Sequence, residues 1–289
     1  MMKRVITICM ACVLLVLSSA PVVASGLAAQ DVRPAIETVQ DCVSRTDSIL
    51  STVEGIIDWQ IVGSEAELEA YREALYSGAE YESEDDHEEI VAKAEELGLC
   101  IEQITALQAE VDALAPTGLE SVDKTITAAQ VYFAWLQGAL ADLMSIFDFY
   151  FAEYEAGRGL AEYDAEDYAD TGDAIADLYY AIQDMTDAMD EIECPGYMQE
   201  CFKKYVGTTR KYLLVLESMY TAVQLEDVLR STSAIYLIGR MDIEIGKCEI
   251  ELTELFNLQY EKVQSRLDGD IGTLRAELSA NCAALLGAL

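Results

Sequence analysis

The single histidine of the chain, His87, closes the run Glu84-Asp85-Asp86-His87. Spaced as E-x-x-H on a helix, a carboxylate and an imidazole share one face, the half-motif of di-iron carboxylate bundles. Those centres need two such pairs, and one histidine cannot supply the second. General-base chemistry fares no better. Seven of the eleven residues from Ala79 to Glu89 are acids, and their field favours the imidazolium, a poor base at neutral pH. The run reads as a solvated, acidic helix start, where negative charge complements the helix dipole. The chain has no G-x-S-x-G elbow, phosphate-binding glycine loop, H-E-x-x-H or C-x-x-C-H, so neither a catalytic set nor a cofactor is assigned. A carboxylate-dependent hydrolase stays as an alternative, but among 53 acids no pair is singled out by its position.

Cations are the ligands such a composition favours. Asp164, Glu166, Asp167, Asp170 and Asp173 lie close together, as do Asp268 and Asp270. Neither group follows the EF-hand spacing. The first reads as an exposed helix face and the second as a helix stop and cap, so the expectation is weak divalent-cation binding without a dedicated site. The acids Glu80, Glu82, Glu84, Asp85, Asp86, Glu88 and Glu89 form a candidate surface for a cationic partner.

Charge narrows the partner class. An N-terminal Lys3-Arg4, an apolar run from Val5 to Leu17 and small residues up to Ala24 predict a cleaved signal peptide over 1–24, and hence export to an extracellular or periplasmic space. Without Lys3 and Arg4, 16 basic residues face 53 acids, a net charge of −37. Nucleic acid and anionic membrane surfaces are thereby excluded as partners. Thr125–Ala141 lacks charge, but Gln130, Gln137 and the following Asp142 read as a core helix rather than a span, so no membrane span is expected after cleavage.

Six cysteines follow the leader: Cys42, Cys100, Cys194, Cys201, Cys248 and Cys282. An even count in an exported chain predicts disulfides. Cys194 and Cys201 flank Pro195-Gly196 and are expected to clamp one hairpin, with Cys42–Cys100 and Cys248–Cys282 as the preferred remaining pairs.

The elements that must position these residues are helical throughout. Apolar residues recur at steps of three and four, first as Val32, Ile36, Val39, Val43, Thr46, Leu50, Val53 and Ile57 over a helix expected from about Pro34 to Val62. Ser64 with Glu67 and Thr117 with Glu120 are spaced as capping boxes. The most regular stripe runs from Leu119 to Tyr154, with Gly157 and Gly159 as its stop. Later stripes run through Tyr168–Ile192, Phe202–Val223 and Ile238–Leu255; Asp268-Gly269 is expected to break the chain before a last helix capped by Asp270. The fold expected is all-α: an elongated antiparallel bundle of long amphipathic helices, disulfide-stapled, forming one mature domain over 25–289 with possible subdivision near 116 or 157–159.

Two further clusters bear on function. Lys203, Lys204, Arg210 and Lys211 follow an acidic helix carrying Asp184, Asp187 and Asp190, and local salt bridging explains them more simply than an anion site. Among 16 tyrosines, Tyr71, Tyr76, Tyr81, Tyr163, Tyr168, Tyr179 and Tyr180 sit among acids, a composition of core edges and of binding surfaces alike. The function read from all this is binding: a structural, adhesive or recognition module for a protein or cationic ligand. A sensor bundle for a small ligand or cation is the alternative beside the hydrolase. One tyrosine-rich face would favour the module, a buried polar pocket the sensor, and converging carboxylates at a cleft, one of them desolvated, the hydrolase.

Overall fold

The computed structural model describes residues 26–59, 65–77, 87–161, 163 and 170–289. The leader, Ser64, Glu80–Asp86 and most of the Asp164–Asp170 acids lie outside them. The helices are α1 (Gly26–Trp59), α2 (Glu65–Ser77), α3 (His87–Asp112), α4 (Glu120–Ala161), α5 (Thr171–Asp190), α6 (Gln199–Gln224), α7 (Val228–Arg266) and α8 (Gly272–Ala288), with a π-helical turn, Leu267–Ile271, between the last two. No strand occurs among the described residues, and no described helix is long and apolar enough to cross a membrane.

The chain folds as two compact units. The first takes in α1, Glu88–Met144 and Tyr260–Leu289; the second takes in α2 and Ser145–Gln259. In the first, every residue of the α1 stripe is buried, Thr46 included. Thr46 tolerates the core because its hydroxyl donates to the Val43 carbonyl at 2.7 Å and meets the Tyr132 hydroxyl at 2.8 Å, which satisfies both polar groups. In the second, α5 packs on α6, and Phe149 holds Phe202 and Phe256 at centroid separations of 5.1 and 5.8 Å.

Helix ends differ in detail from the sequence expectation. Thr117 does not pair with Glu120. Its backbone N–H and hydroxyl donate to Asp123 at 2.7 and 2.8 Å, and Gly118, at φ +77°, donates there as well. Asp123 takes the task because the turn at Gly118 folds the chain back over the first turn of α4, and the same bonds hold its carboxyl below its ordinary pKa. Asp268-Gly269 does not break the chain either: the helix widens into the π turn and continues, and Asp270 caps nothing. Gly157 and Gly159 fall within α4, which ends at Ala161. The seventh helix begins at Val228, ten residues before the stripe at Ile238 suggested.

Candidate functional site

Of the acidic surface read from the sequence, only Glu88 and Glu89 lie among the described residues, both exposed at the start of α3. Beside them His87 meets aromatic rings. Its ring stacks on Tyr154 at 3.9 Å and 11°, with Tyr150 and Phe151 about it. Among the described residues no group of three or more His, Cys, Asp or Glu is arranged to hold a metal ion. Asp170 instead serves α5 as N-cap, accepting from Gly172 and Asp173, while Asp268 and Asp270 are exposed on the π turn.

All six cysteines are thiols here, and none stands at disulfide distance from another. None of the expected pairings stands at bonding distance in this structure. Cys201 sends its sulfur across to α7, 3.6 Å from the Cys248 carbonyl, whereas Cys194 sits by Pro195 and within the field of Glu153. Cys42 faces Glu110 on α3, and Cys100 lies ten residues earlier on that helix, ~15 Å at 1.5 Å per residue. Cys248 and Cys282 belong to different units. Burial raises the thiols, Cys201 to about 12 and Cys282 to about 11, which keeps them protonated at neutral pH.

The basic cluster makes local ion pairs: Arg210 with Asp190 across α5 and α6, and Lys204 with Glu251 of α7 at 2.9 Å. Both pairs are exposed.

Two places in the second unit hold functional potential. The first is a surface. Tyr179 and Tyr180 of α5, in edge-to-face contact at 5.6 Å, line a hollow of about 250 Å³ with Ala176, Glu217 and Tyr220. On the same unit, α6 ends at Leu225 and α7 starts at Val228, and the large side chains here point outwards: Leu225, Val228, Leu229, Ile235 and Tyr236 are between 57 and 83 % exposed. The inward line of α7 at this end is small, Ser231 and Ala234, and Ala234 is the one buried residue from Val228 to Ile245. A helix normally hides its bulk and shows its small or polar residues; this one does the reverse. The turn joining the two helices carries a further oddity. Glu226 donates its N–H to Val223 and Asp227 to Ala222, the paired bonds of a Schellman cap, whose left-handed position usually belongs to glycine. Glu226 occupies it at φ +54°.

The second place is interior. Glu249 of α7 accepts hydrogen bonds from the hydroxyls of Tyr71 (α2) and Tyr205 (α6), the latter at 3.3 Å. Glu153 of α4 feels the charge of the same carboxylate. Part of the Glu153 residue stays accessible, yet its carboxyl is crowded by protein, and this desolvation together with the Glu249 charge pushes it up to about 7. The same burial, with the charges of Glu249 and Glu153, raises Tyr205 well above its ordinary value.

Sequence reasoning reached Tyr179 and Tyr180 but not the outward α7 residues, although Leu225-Glu-Asp-Val-Leu and Ile235-Tyr-Leu-Ile carry more apolar residues than one inward stripe uses. It had no means of pairing Glu153 with Glu249. Comparison of the chain with protein-family models, with curated proteins and with solved structures finds no match in any of the three.

Proposed function

We propose that this protein is a binding module, and that the face formed by α5, the end of α6 and the start of α7 docks a partner protein through a segment both apolar and basic. The observation that carries the reading is the inverted α7, whose bulky residues face solvent beside the tyrosine-lined hollow. Aromatic anchors amid apolar neighbours are what interface cores contain. Glu217, Glu226, Asp227 and Asp177 stand around them, all exposed, and they select a cationic rim on the partner. A second copy of this chain is a poor occupant, since each carries a formal charge of −35. The acids near Glu88 and Glu89 extend the attraction by steering encounter.

The reading includes export, with cleavage after Ala24. In an oxidising compartment the bridge it favours involves Cys201, whose sulfur already reaches the backbone of Cys248. The hydrolase alternative gains one observation, the desolvated Glu153 beside Glu249. Both oxygens of Glu249 are engaged by phenols, however, which blunts it as a nucleophile or base.

A photo-crosslinking residue placed at Tyr236, in full-length protein expressed in its own source, tests the proposal. It is expected to give one discrete heavier adduct, lost on adding Leu229→Ser, while the same residue at exposed Glu102 gives none. Equal labelling from both positions refutes the face, and an adduct of twice the chain mass assigns it to self-association.

A further inference from the structure

We infer that the tyrosine-lined hollow between α5 and α6 is a receptor for a quaternary ammonium group, with the rings of Tyr179, Tyr180 and Tyr220 about the cation and the Glu217 carboxylate at its edge. The site goes beyond protein docking. None of the outward α7 residues lines it, and it can be filled whether or not they are covered.

Each helix contributes about one turn. Ala176, Tyr179 and Tyr180 are spaced by three and four residues, so they share one side of α5. The Tyr179 and Tyr180 rings stand at 83° with centroids 5.6 Å apart, and two rings so set make the walls of a corner. The small side chain of Ala176 leaves the floor between them low. From α6, Glu217 and Tyr220 are again three residues apart and face the same way. The Tyr220 ring reaches to α5, where a Cβ on Gly172 would stand 4.0 Å from its Cε2 and 2.8 Å from the Gln224 amide. The space enclosed is about 250 Å³. That is ample for a trimethylammonium head, since an apolar cavity of ~150 Å³ already holds a benzene ring.

The lining selects a cation, and one kind of cation. Aromatic faces are electron-rich and attract positive charge within ~6 Å of the ring centroid. Helix α5 carries no Lys or Arg, and Glu217 makes no ion pair among the described residues, so the cation comes from outside. A calcium ion takes about 6–8 oxygen ligands, and here one carboxylate is offered. A primary ammonium brings three N–H donors and a firmly held hydration shell, against that same single carboxylate and a few phenol oxygens. A quaternary ammonium has no donor to satisfy, and its methyl groups pack on rings while carrying the charge. Tyr180 and Tyr220 keep 61 and 39 % of their surface exposed. The mouth is therefore open, and the remainder of a longer ligand can trail into solvent.

Choline, titrated into the full chain at constant ionic strength and followed by saturation-transfer NMR of its methyl protons, tests the site. Saturable binding is expected, at least ~5-fold tighter than that of the neutral isostere in which carbon replaces the nitrogen. Tyr180→Ala and Glu217→Gln should each weaken choline at least ~2-fold. Tyr180→Phe, which keeps the ring, should bind as the wild type does, and so should Glu102→Gln, a change at an exposed acid of α3. Competition by phosphatidylcholine vesicles would assign the group to a lipid headgroup, and its absence to a free solute. Equal affinity for choline and its neutral isostere overturns the inference. So does choline binding that Tyr180→Ala and Glu217→Gln leave unchanged, since the acids of the chain would then be gathering any cation.

Discussion

At Glu226 the chain accepts a conformation that costs a non-glycine residue ~1–2 kcal/mol. Glycine at this left-handed position would remove the steric penalty, while adding ~0.5–1 kcal/mol of unfolded-state entropy to be overcome. Glu226→Gly is therefore expected to raise stability by up to ~1 kcal/mol, read as a higher urea midpoint, whereas Glu226→Ala should show no gain. If the acid is kept for the rim of the docking face, the stabilised variant should bind its partner more weakly. Such a residue is invisible to pattern reading. Leu225-Glu226-Asp227 shows no glycine or proline to mark a turn, and only the paired bonds to Ala222 and Val223 reveal the cap.

Among the elements, the π turn gives the sharpest contrast between two glycines. A Cβ on Gly269 would meet nothing, but on Gly272 it would stand 2.9 Å from the Leu267 carbonyl oxygen. That oxygen is backbone and cannot swing away. Gly272→Ala should cost ~1–3 kcal/mol by overpacking, whereas Gly269→Ala should be neutral or stabilise by a few tenths through helix propensity; thermal unfolding of the two variants separates the outcomes. Most of the helices were legible because burial imposes a period. Val32 through Ile57 could be read as one stripe, and all of it is buried. The ends were less legible. Asp123 lies six residues beyond Thr117, outside the capping-box spacing, and a wide turn around Asp268-Gly269 looks in sequence like a stop.

For the molecule as a whole, the formal charge of −35 is the dominant fact, and it makes the proposed function depend on salt. Attraction to a cationic partner is screened over ~10 Å at 0.1 M ionic strength. Association should slow steeply as salt rises, while dissociation, governed by the apolar centre of the face, changes less; stopped-flow or surface-binding kinetics over a salt series would show it. An adaptation to brine predicts the opposite, with folding failing at low salt. Charge is fully written in composition. The meeting of Tyr71 and Tyr205 on Glu249 is not, for the three residues lie on α2, α6 and α7, and only the packing of those helices makes neighbours of them.

The π turn also sets a rule of angular phase. Each residue of an α-helix advances the chain by ~100°, and a π turn absorbs one residue more than α geometry holds. Up to Val263 the buried line follows the setting of α7; after the turn, Leu274, Leu278, Cys282 and Leu285 form the inward line of α8. Val263, Leu267, Ile271 and Leu274 are all buried, so one inward line runs unbroken through the turn into α8. The number of residues between Val263 and Leu274 is consequently as constrained as their identity. A chain shortened by one in this stretch would keep every side chain and still rotate the whole of α8 by more than a quarter turn, carrying its leucines off α1 and its charges in.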